Sequence, residues 1–499
     1  MFTVTRRQML AGTAGAAAML ALDACGSART PSAAVTPRSA AVRDAEAARR
    51  SAGQRLVSAN FTARPATLDL GGPQVNSWVY GDQLPGPVLR ARAGDLLRVT
   101  LDNQLPAPTS IHWHGIALRN DMDGVPGVTQ SPIAPGGRFT YEFTVPDPGT
   151  YFYHPHVGVQ LDRGLYGVLL VDDPDDTGRY DADWTVVLDD WVDGTGRSPD
   201  DILAGFSARD SDTGTGGMGS MGGGGMAGMG ETMRSPVLGG AGDIAYPHYL
   251  ANGRVPAAPQ TFTGKPGQRV RLRLINAGSD TAFRVALGGH RLTVTHSDGF
   301  PVVPVTTAAL IIGMGERFDV EVTLSDGVFP LVAGAEGKNG QALALIRTGS
   351  GRPPAATVRL DELQGQVLLG TQLRAGEVVQ LASRTVDRRH NLLLGGEMSG
   401  YRWTINGKTF LESSPLTINE GQRVRLRFAN HTAMFHPMHL HGHTFAIAGG
   451  GPRKDTVIVR PMQSVDVEFD ATNPGQWVTH CHNIYHAERG MMIALSYRS

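Results

Sequence analysis

Four pairs of histidines, each with one residue between its members, are the side chains of this sequence best suited to chemistry. The pairs occupy residues 112–114, 154–156, 439–441 and 480–482. Alternate residues of a β-strand point to the same face, so each pair can present two imidazoles side by side. Imidazole is the commonest metal-binding side chain. Four such pairs offer too many ligands for one ion, and the pattern predicts a cluster of two or three metal ions.

An internal repeat places these pairs at matching positions. A run of alternating basic and apolar residues, typical of a strand with one buried face, occurs at residues 94–103, 267–276 and 421–430. A histidine pair begins nine residues after the first and third copies, and none begins there after the second. We therefore expect the cluster at the interface of the first and third repeats, with the second repeat as a spacer.

A second candidate site surrounds Cys481, which lies between two cluster histidines. His436, His486 and Met491 complete a set of two imidazoles, one thiolate and one thioether. This set is typical of a blue-copper electron-transfer site. The aligned positions of the first repeat hold Thr109, Pro155, Gln160 and Leu165. The sequence therefore predicts one such site, which the segment 480–482 joins covalently to the histidine cluster.

The elements that must position these residues are strands. The chain of 499 residues contains 64 glycines and 31 prolines, which favours many turns between short strands over long helices. At about 150 residues per domain, its length corresponds to three domains. We predict an all-β fold of three β-sandwich or barrel domains, at residues 52–175, 176–355 and 356–499.

Charge and cysteine content exclude several classes of protein. Lys and Arg total 45 against 46 Asp and Glu, so nothing in the net charge suggests a nucleic acid partner. The chain has two cysteines, Cys25 and Cys481, near opposite ends, which excludes a disulfide framework.

The motifs resemble the four copper motifs of the multicopper oxidases. They read His-Trp-His-Gly from residue 112, His-Pro-His from residue 154, His-Pro-Met-His-Leu-His-Gly from residue 436 and His-Cys-His-Asn-Ile-Tyr-His from residue 480. The resemblance covers nearly all of residues 52–499 and is strongest to three-domain bacterial enzymes, laccase-like and cuprous-oxidase-like, including exported lipoproteins. It implies three cupredoxin-like Greek-key domains and four copper ions.

The resemblance also implies which residues hold each ion. The type 2 copper falls to His112 and His439. The type 3 pair falls to His114, His154, His156, His441, His480 and His482. The type 1 copper falls to His436, Cys481 and His486, with Met491 as the weak axial ligand.

The implied activity is that of a copper-dependent oxidoreductase with dioxygen as acceptor. A reductant, either Cu(I), Fe(II) or a phenol, gives single electrons to the type 1 copper, and dioxygen is reduced to water at the cluster. Oxidation of Cu(I) would give a role in copper tolerance. The alternatives are a laccase-type phenol oxidase without that role and a copper-binding cupredoxin protein without catalysis.

Four residues are the candidates for direct roles in catalysis, namely Cys481, His480, His482 and Asp123. Asp123 matches an acidic position that assists oxygen reduction in family members, and it equally suits a turn before Gly124. Glu488 stands one residue beyond a glutamate position of some members, which leaves its part in proton transfer open.

A segment rich in glycine and methionine interrupts the second domain at residues 211–234. Its five methionines, at residues 218, 221, 226, 229 and 233, offer soft thioethers suited to Cu(I). The alternative interpretation is a glycine-rich mobile insertion.

The N-terminus carries the marks of export. Residues 1–25 place an arginine pair, Arg6 and Arg7, before a short apolar run that ends at Cys25 in a lipobox-like sequence. We predict export to the cell envelope (the periplasm or the outer face of the membrane) by the twin-arginine route with a lipid anchor on Cys25; an ordinary secretory signal, and cleavage without lipidation, are the alternatives. Residues 26–51 are predicted to be a tether.

Overall fold

The structure is a computed structural model, and it describes residues 33–176, 178, 180–208, 233–397 and 400–499. Within these residues the chain is mostly β-strand, and residues 34–499 form one compact unit. The predicted all-β fold class is confirmed. No helix in the described ranges is both long enough and apolar enough to cross a membrane.

The first sandwich contains eight strands between residues 56 and 172. They are β1 (Leu56–Asp69), β2 (Gln74–Tyr80), β3 (Gly86–Arg92), β4 (Leu96–Asn103), β5 (His112–His114), β6 (Arg138–Thr144), β7 (Gly149–His154) and β8 (Gly167–Asp172). One sheet has the order β2-β1-β4-β6 and the other has the order β3-β8-β7-β5.

The second sandwich spans residues 182–347. Its strands are β9 (Ala182–Trp191), β10 (Arg234–Ser235), β11 (Gly239–Gly240), β12 (His248–Ala251), β13 (Thr261–Thr263), β14 (Arg269–Asn276), β15 (Phe283–Leu287), β16 (Leu292–Ser297), β17 (Phe300–Thr307), β18 (Leu310–Ile312), β19 (Arg317–Thr323), β20 (Val328–Ala335) and β21 (Gln341–Arg347). The two main sheets have the orders β12-β9-β14-β19-β16-β17 and β13-β21-β20-β15-β18, while β10 and β11 form a separate hairpin.

The third sandwich spans residues 388–498. Its strands are β22 (Arg388–Glu397), β23 (Arg402–Ile405), β24 (Leu416–Asn419), β25 (Arg423–Asn430), β26 (His436–Leu440), β27 (Phe445–Ile447), β28 (Arg453–Lys454), β29 (Thr456–Val459), β30 (Ser464–Asp470), β31 (Gln476–Cys481) and β32 (Met492–Arg498). The sheet orders are β23-β22-β25-β30-β27-β28 and β24-β32-β31-β26-β29.

Helices are short in the described ranges. The α-helices are α1 (Ala40–Arg49), α2 (Pro199–Ala208) and α3 (Ile484–Glu488). Single turns of 3-10 helix occur at Asn120–Met122, Gln160–Arg163, Asp361–Leu363, Gly370–Gln372, Glu377–Val379 and Phe410–Glu412.

The sequence repeat forms the same central strand in each sandwich. Strands β4, β14 and β25 each pair in parallel with the first strand of their domain and antiparallel with a later one. Each ends at an asparagine whose amide donates to two backbone carbonyls: Asn103 to Ala107 and Ile133, Asn276 to Thr281 and Ile312, and Asn430 to Met434 and Val459. These buried amides fix the connection that leads to the next strand.

Part of the predicted tether is folded. Residues 40–49 form α1, whose buried face includes Val42 and Glu46, one helical turn apart. A Glu46 carboxylate oxygen accepts hydrogen bonds from the backbone N–H and the hydroxyl of Thr144, both 2.9 Å long, at the end of β6. The alanine and arginine content that suggested a linker therefore supports a short amphipathic helix on the first sandwich.

Candidate metal centre

Strand register brings the histidine pairs together. In the first sandwich β5 runs antiparallel to β7, with His112 directly opposite His154. In the third sandwich β26 runs antiparallel to β31, with His439 opposite His480. The remaining members of the pairs follow at alternate positions, so each domain presents its imidazoles from one end of a sheet.

The two sets of imidazoles interleave across the interface of the outer domains. One triad contains His114, His154 and His482, and a second contains His156, His441 and His480. His112 and His439 meet beside His114 in a third group. Within each group the candidate ligand nitrogens lie within 4.8 Å of one another. The predicted type 2 and type 3 residues are therefore brought together in one cluster, which is buried apart from the partly exposed His156.

The state of the ring nitrogens fits a metal cluster. The Nδ1 atoms of His112, His154 and His439 each lie 2.8–2.9 Å from a backbone carbonyl, to which they donate. The Nε2 atoms of the same rings are buried and have no hydrogen-bond partner among the described residues. Burial, together with the neighbouring His112, lowers the pKa of His154 well below its usual value. In each of the three rings Nδ1 is used by a carbonyl and Nε2 is left free to face the cluster, as a metal ligand requires.

The ring nitrogens of His480 are also arranged to bind a cation. Its Nδ1 donates to the Cys481 carbonyl at 2.9 Å. Its Nε2 lies 3.0 Å from Nε2 of His441 and 3.4 Å from Nε2 of His156. Burial lowers the pKa of His480 to about 3. A shared metal ion would satisfy these converging lone pairs.

The predicted type 1 residues form a separate buried group. Cys481 Sγ lies 3.6 Å from Nδ1 of His436 and 3.7 Å from Nδ1 of His486, and the two nitrogens are 3.2 Å apart. Met491 is fully buried, and its carbonyl accepts from the Cys481 N–H at 3.0 Å. Burial raises the pKa of the Cys481 thiol. A thiolate in this pocket therefore requires a bound cation, which fits the copper-binding set.

Alternation along β31 joins the two sites. The side chain of Cys481 points to the opposite face from its neighbours His480 and His482. His480 belongs to one triad and His482 to the other. The cysteine is thus one residue from a ligand of each triad.

Asp123 lies against the cluster. Its side chain is fully buried, with Oδ2 2.9 Å from Nδ1 of His441 and Oδ1 3.2 Å from Nδ1 of His112. The structure also contains the turn at Gly124. The φ angle of Gly124 is +81°, and a Cβ there would lie 1.8 Å from the Ile111 carbonyl oxygen, so the turn requires glycine. The same turn therefore aims the carboxylate at ligands of both outer domains. Glu488, in contrast, ends α3 as an exposed residue.

A second carboxylate, Asp455, escaped the sequence analysis. Oδ1 lies 3.0 Å from Nε2 of His114 and 3.5 Å from Nδ1 of His439. Arg317 on β19 donates to both carboxylate oxygens, at 2.7 and 2.6 Å. Burial alone would raise the pKa of Asp455, but the Arg317 charge and the hydrogen bonds lower it well below its usual value. The Lys-Asp-Thr sequence at the start of β29 has no metal-ligand spacing that could identify Asp455.

The second sandwich is more than the spacer that we predicted. Arg317 belongs to it, and so does Gly315, where a Cβ would lie 2.9 Å from both His114 Cε1 and His482 Cδ2. Asp243, also in this domain, has Oδ2 2.9 Å from Nε2 of His486. The spacer prediction was wrong because it counted ligands alone, whereas this domain supports the rings that the outer domains supply.

The glycine- and methionine-rich segment lies almost entirely outside the described residues, which resume at Met233. The Met233 carbonyl accepts from the Ala241 N–H at 3.0 Å, closing the β10–β11 hairpin. Gly240 N–H donates to the Ala433 carbonyl at 2.9 Å, three residues before His436. The described end of the segment is thus hydrogen-bonded to a hairpin that contacts the chain three residues before His436. The export signal and Cys25 also lie outside the described residues.

Comparison with known proteins agrees with this geometry. Sequence profiles described as multicopper oxidase match residues 63–176, 183–351 and 385–499. The chain is 51% identical to multicopper oxidase MmcO of Mycobacterium tuberculosis, over 97% of this chain and 95% of that protein. It is 28% identical to a copper resistance protein A homolog of Pseudomonas syringae pv. tomato, over 85% of this chain and 90% of that protein.

A solved structure shares the fold. The crystal structure of laccase from Botrytis aclada superposes with a TM-score of 0.69 at 25% identity, covering 89% of this chain and 88% of the laccase. The three sandwiches are accordingly cupredoxin-like domains. With three matching profiles and a 51% identical relative over nearly its whole length, the chain belongs to the multicopper oxidase family and is a copper-binding oxidoreductase.

Proposed function

We propose that this chain binds four copper ions, oxidises Cu(I) and passes the electrons to dioxygen, which is reduced to water. The observation that carries the proposal is the placement of Cys481 between ligands of two histidine triads, each triad drawn from both outer domains. When bound, copper would supply one-electron acceptance at the cysteine group and four-electron reduction of dioxygen at the histidine cluster.

The protein itself contributes a covalent route for electrons and a fixed orientation of the histidine rings. An electron that enters at Cys481 has a covalent path along three consecutive residues to His480 and to His482. The carbonyls that accept from Nδ1 of His112, His154 and His439 hold these rings in one tautomer. Ligand geometry is therefore fixed before any electron arrives.

We assign proton supply during oxygen reduction to Asp123. Both of its oxygens face ring nitrogens of cluster histidines, one on each outer domain. A carboxylate at this place can hold a proton at Oδ1 or Oδ2 within hydrogen-bond reach of the cluster. The turn that presents Asp123 also keeps it away from solvent.

Two observations favour Cu(I) as the reductant. The relative from Pseudomonas syringae is named for copper resistance, and the five methionines of residues 211–234 offer Cu(I) ligands. The hairpin that follows Met233 contacts the chain three residues before His436. A thioether-rich segment leading to the type 1 group would raise the local concentration of Cu(I), and this activity would serve copper tolerance.

The experiment compares reductants on one enzyme. Oxygen uptake is measured with Cu(I), Fe(II) and a phenol, for the parent chain and for a variant with all five methionines changed to leucine. We expect the variant to lose cuprous oxidation selectively and to keep phenol oxidation. Equal loss of both activities, or no loss, would contradict a role of the methionines in Cu(I) oxidation.

A laccase-type phenol oxidase is the second candidate, favoured by the likeness to the Botrytis aclada laccase. A higher kcat/KM for the phenol than for Cu(I) in the parent chain would select it. The third candidate, a copper-binding protein without catalysis, predicts no oxygen uptake with any donor. Fewer than four copper ions per fully loaded chain would overturn the four-copper proposal.

We also propose that the protein is exported by the twin-arginine route and anchored by lipid on Cys25. The support is the sequence of residues 1–25 alone. Metabolic labelling with a radioactive fatty acid should mark the parent chain and leave Cys25→Ala unlabelled. A variant with Arg6 and Arg7 changed to lysine should accumulate as precursor in the cytoplasm. An unlabelled parent chain would contradict the anchor.

A further inference from the structure

We infer that Asp280, in the connection between β14 and β15 of the second sandwich, is a positioning residue for His486 in the type 1 group. The inference rests on the type 1 assignment made under the proposed function. Its basis is that two separate supports of His486, one for its backbone and one for its ring, both end on the Asp280 carboxylate.

The first support acts on the backbone. Asn483 precedes α3, and its side-chain oxygen accepts from the N–H groups of Tyr485 at 3.1 Å and His486 at 3.3 Å. The amide nitrogen of Asn483 donates to Asp280 Oδ1 at 2.5 Å. This bond fixes which way the Asn483 amide faces, so Asp280 holds the cap of the helix that carries His486.

The second support acts on the ring. Nε2 of His486 lies 2.9 Å from Asp243 Oδ2, which also accepts from the hydroxyl of Tyr401 at 2.7 Å. The backbone N–H of Asp243 donates to Asp280 Oδ2 at 3.0 Å, as does that of Ile244. Asp280 therefore anchors the main chain from which Asp243 reaches the imidazole.

The Asp280 carboxylate is built to act as a fixed acceptor. Lys338 Nζ lies 2.6 Å from Oδ2 and also donates to the Asp280 carbonyl at 3.0 Å. The side chains of both residues are almost completely buried. The backbone N–H of Asp280 in turn donates to Asp190 at 3.0 Å. Charge-assisted bonds in a dry environment are strong, and this network leaves the carboxylate little freedom.

The other imidazole of the type 1 group is held differently. Nε2 of His436 lies 2.8 Å from Thr432 Oγ1, four residues earlier in the same domain. His436 therefore has a local partner, whereas both supports of His486 cross into the second sandwich. A change at Asp280 should act on one of the two imidazoles and leave the histidine cluster as it was.

The test uses the full chain loaded with copper and the variant Asp280→Asn, which preserves shape and removes half of the acceptor capacity. We expect a shifted and weakened copper–thiolate absorption, an altered type 1 signal in electron paramagnetic resonance and a displaced type 1 reduction potential. The type 2 signal and the copper content of the cluster should stay unchanged. We expect kcat/KM for the electron donor to fall at least about fivefold.

Two further variants keep the test decisive. Asp319→Asn is the matched control, because Asp319 is a buried carboxylate of the same sandwich whose partners are Arg271 at 2.5 Å and Thr150 at 2.7 Å. It should lower the melting temperature without moving the type 1 spectrum. Asn483→Ala should reproduce part of the Asp280→Asn spectral change. The variant that carries both substitutions should show a spectral change smaller than the sum of the two single changes. Asn483→Ala carries the test if Asp280→Asn does not fold.

The inference is overturned if Asp280→Asn, or Asn483→Ala in its place, leaves the type 1 spectrum and potential as in the parent chain. It is also overturned if Asp319→Asn shifts them equally. A parent chain that binds copper without any thiolate absorption would instead overturn the type 1 assignment, so the two failures are distinguishable.

Discussion

The first and third sandwiches bury aligned side chains at the same place in the fold. Only the side chains of the third sandwich can bind copper there. In the third, His436 and His486 face each other with Nδ1 atoms 3.2 Å apart beside Cys481. In the first, the aligned Thr109 donates to Gln160 Oε1 at 2.8 Å. Both pairs are buried, so the frame is common to the two domains. The comparison teaches that the fold supplies the pocket and a few side chains decide whether it holds a metal or a hydrogen bond.

The largest expected effect comes from removing the thiolate. Cys481→Ser should abolish the copper–thiolate absorption and lower turnover more than about 100-fold. This is more than the loss typical when a residue that only hydrogen-bonds to a metal ligand is changed. Steady-state oxygen uptake and copper analysis measure it. In the first sandwich, Thr109→Val breaks the aligned pair and should cost about 1 kcal/mol of unfolding free energy with activity unchanged. A strongly impaired Thr109→Val enzyme would contradict the comparison.

Asp123→Asn should have the next largest effect. It keeps the shape of the side chain that contacts His112 and His441 and removes its carboxyl group, so we expect turnover to fall about 10-fold to 100-fold. The thiolate absorption should persist, because Asp123 contacts histidines of the cluster and the four type 1 residues belong to the third sandwich. Single-turnover reoxidation by dioxygen isolates the step. Bleached thiolate absorption in this variant would show that the two sites are not separable.

An exchange at the axial position sharpens the comparison further. Met491 and Leu165 occupy aligned positions and are both fully buried. Met491→Leu makes the third sandwich like the first there and should raise the type 1 potential while altering donor kcat/KM less than about 10-fold. Redox titration measures the shift. Leu165→Met should change neither quantity, and a shift there would be unexpected.

The smallest effect on activity is expected at Asp319 of the second sandwich, which accepts from Thr150 of the first at 2.7 Å. Burial would raise the pKa of Asp319, but Arg271 and Arg273 lower it below its usual value. A lowered carboxyl pKa stabilises the fold above the unfolded value of about 3.9, and that contribution is lost as pH falls below it. Asp319→Asn should cost about 3 kcal/mol at pH 7.

Unfolding in urea at several pH values measures this difference. The gap between Asp319→Asn and the parent chain should narrow steadily below about pH 4, since Asp319 of the unfolded parent chain takes up a proton there while the folded carboxylate stays ionised. A gap that stays constant down to pH 2 would show that Asp319 acts through packing and not through its charge.

Sequence reasoning reached the ligands because their signal is local. His-x-His on a strand fixes which face two rings share, and the repeat fixes which domains meet. It missed Asp455 and Asp280 because neither has a spacing that relates it to its histidine. Asp280 reaches His486 through Asn483, more than 200 positions later in the chain, and through the backbone of Asp243. Such contacts depend on how whole domains pack, which strand periodicity does not encode.

The helix at residues 40–49 was missed for a different reason. A composition of alanine and arginine suits a linker and a helix alike, and the outcome depends on buried contacts such as those of Val42 and of Glu46 with Thr144. The choice between linker and helix therefore rests on tertiary structure.

The approach of Gly315 to the cluster sets a limit on size. At this position the second sandwich offers backbone alone, and a single methyl group would overlap the rings of His114 and His482. At Gly315 the wall of the histidine cluster is therefore backbone, with no side chain that could move away. Because φ at Gly315 is +82° and a Cβ there would lie 2.9 Å from both rings, Gly315→Ala would displace His114 and His482 and disturb the cluster from the second sandwich.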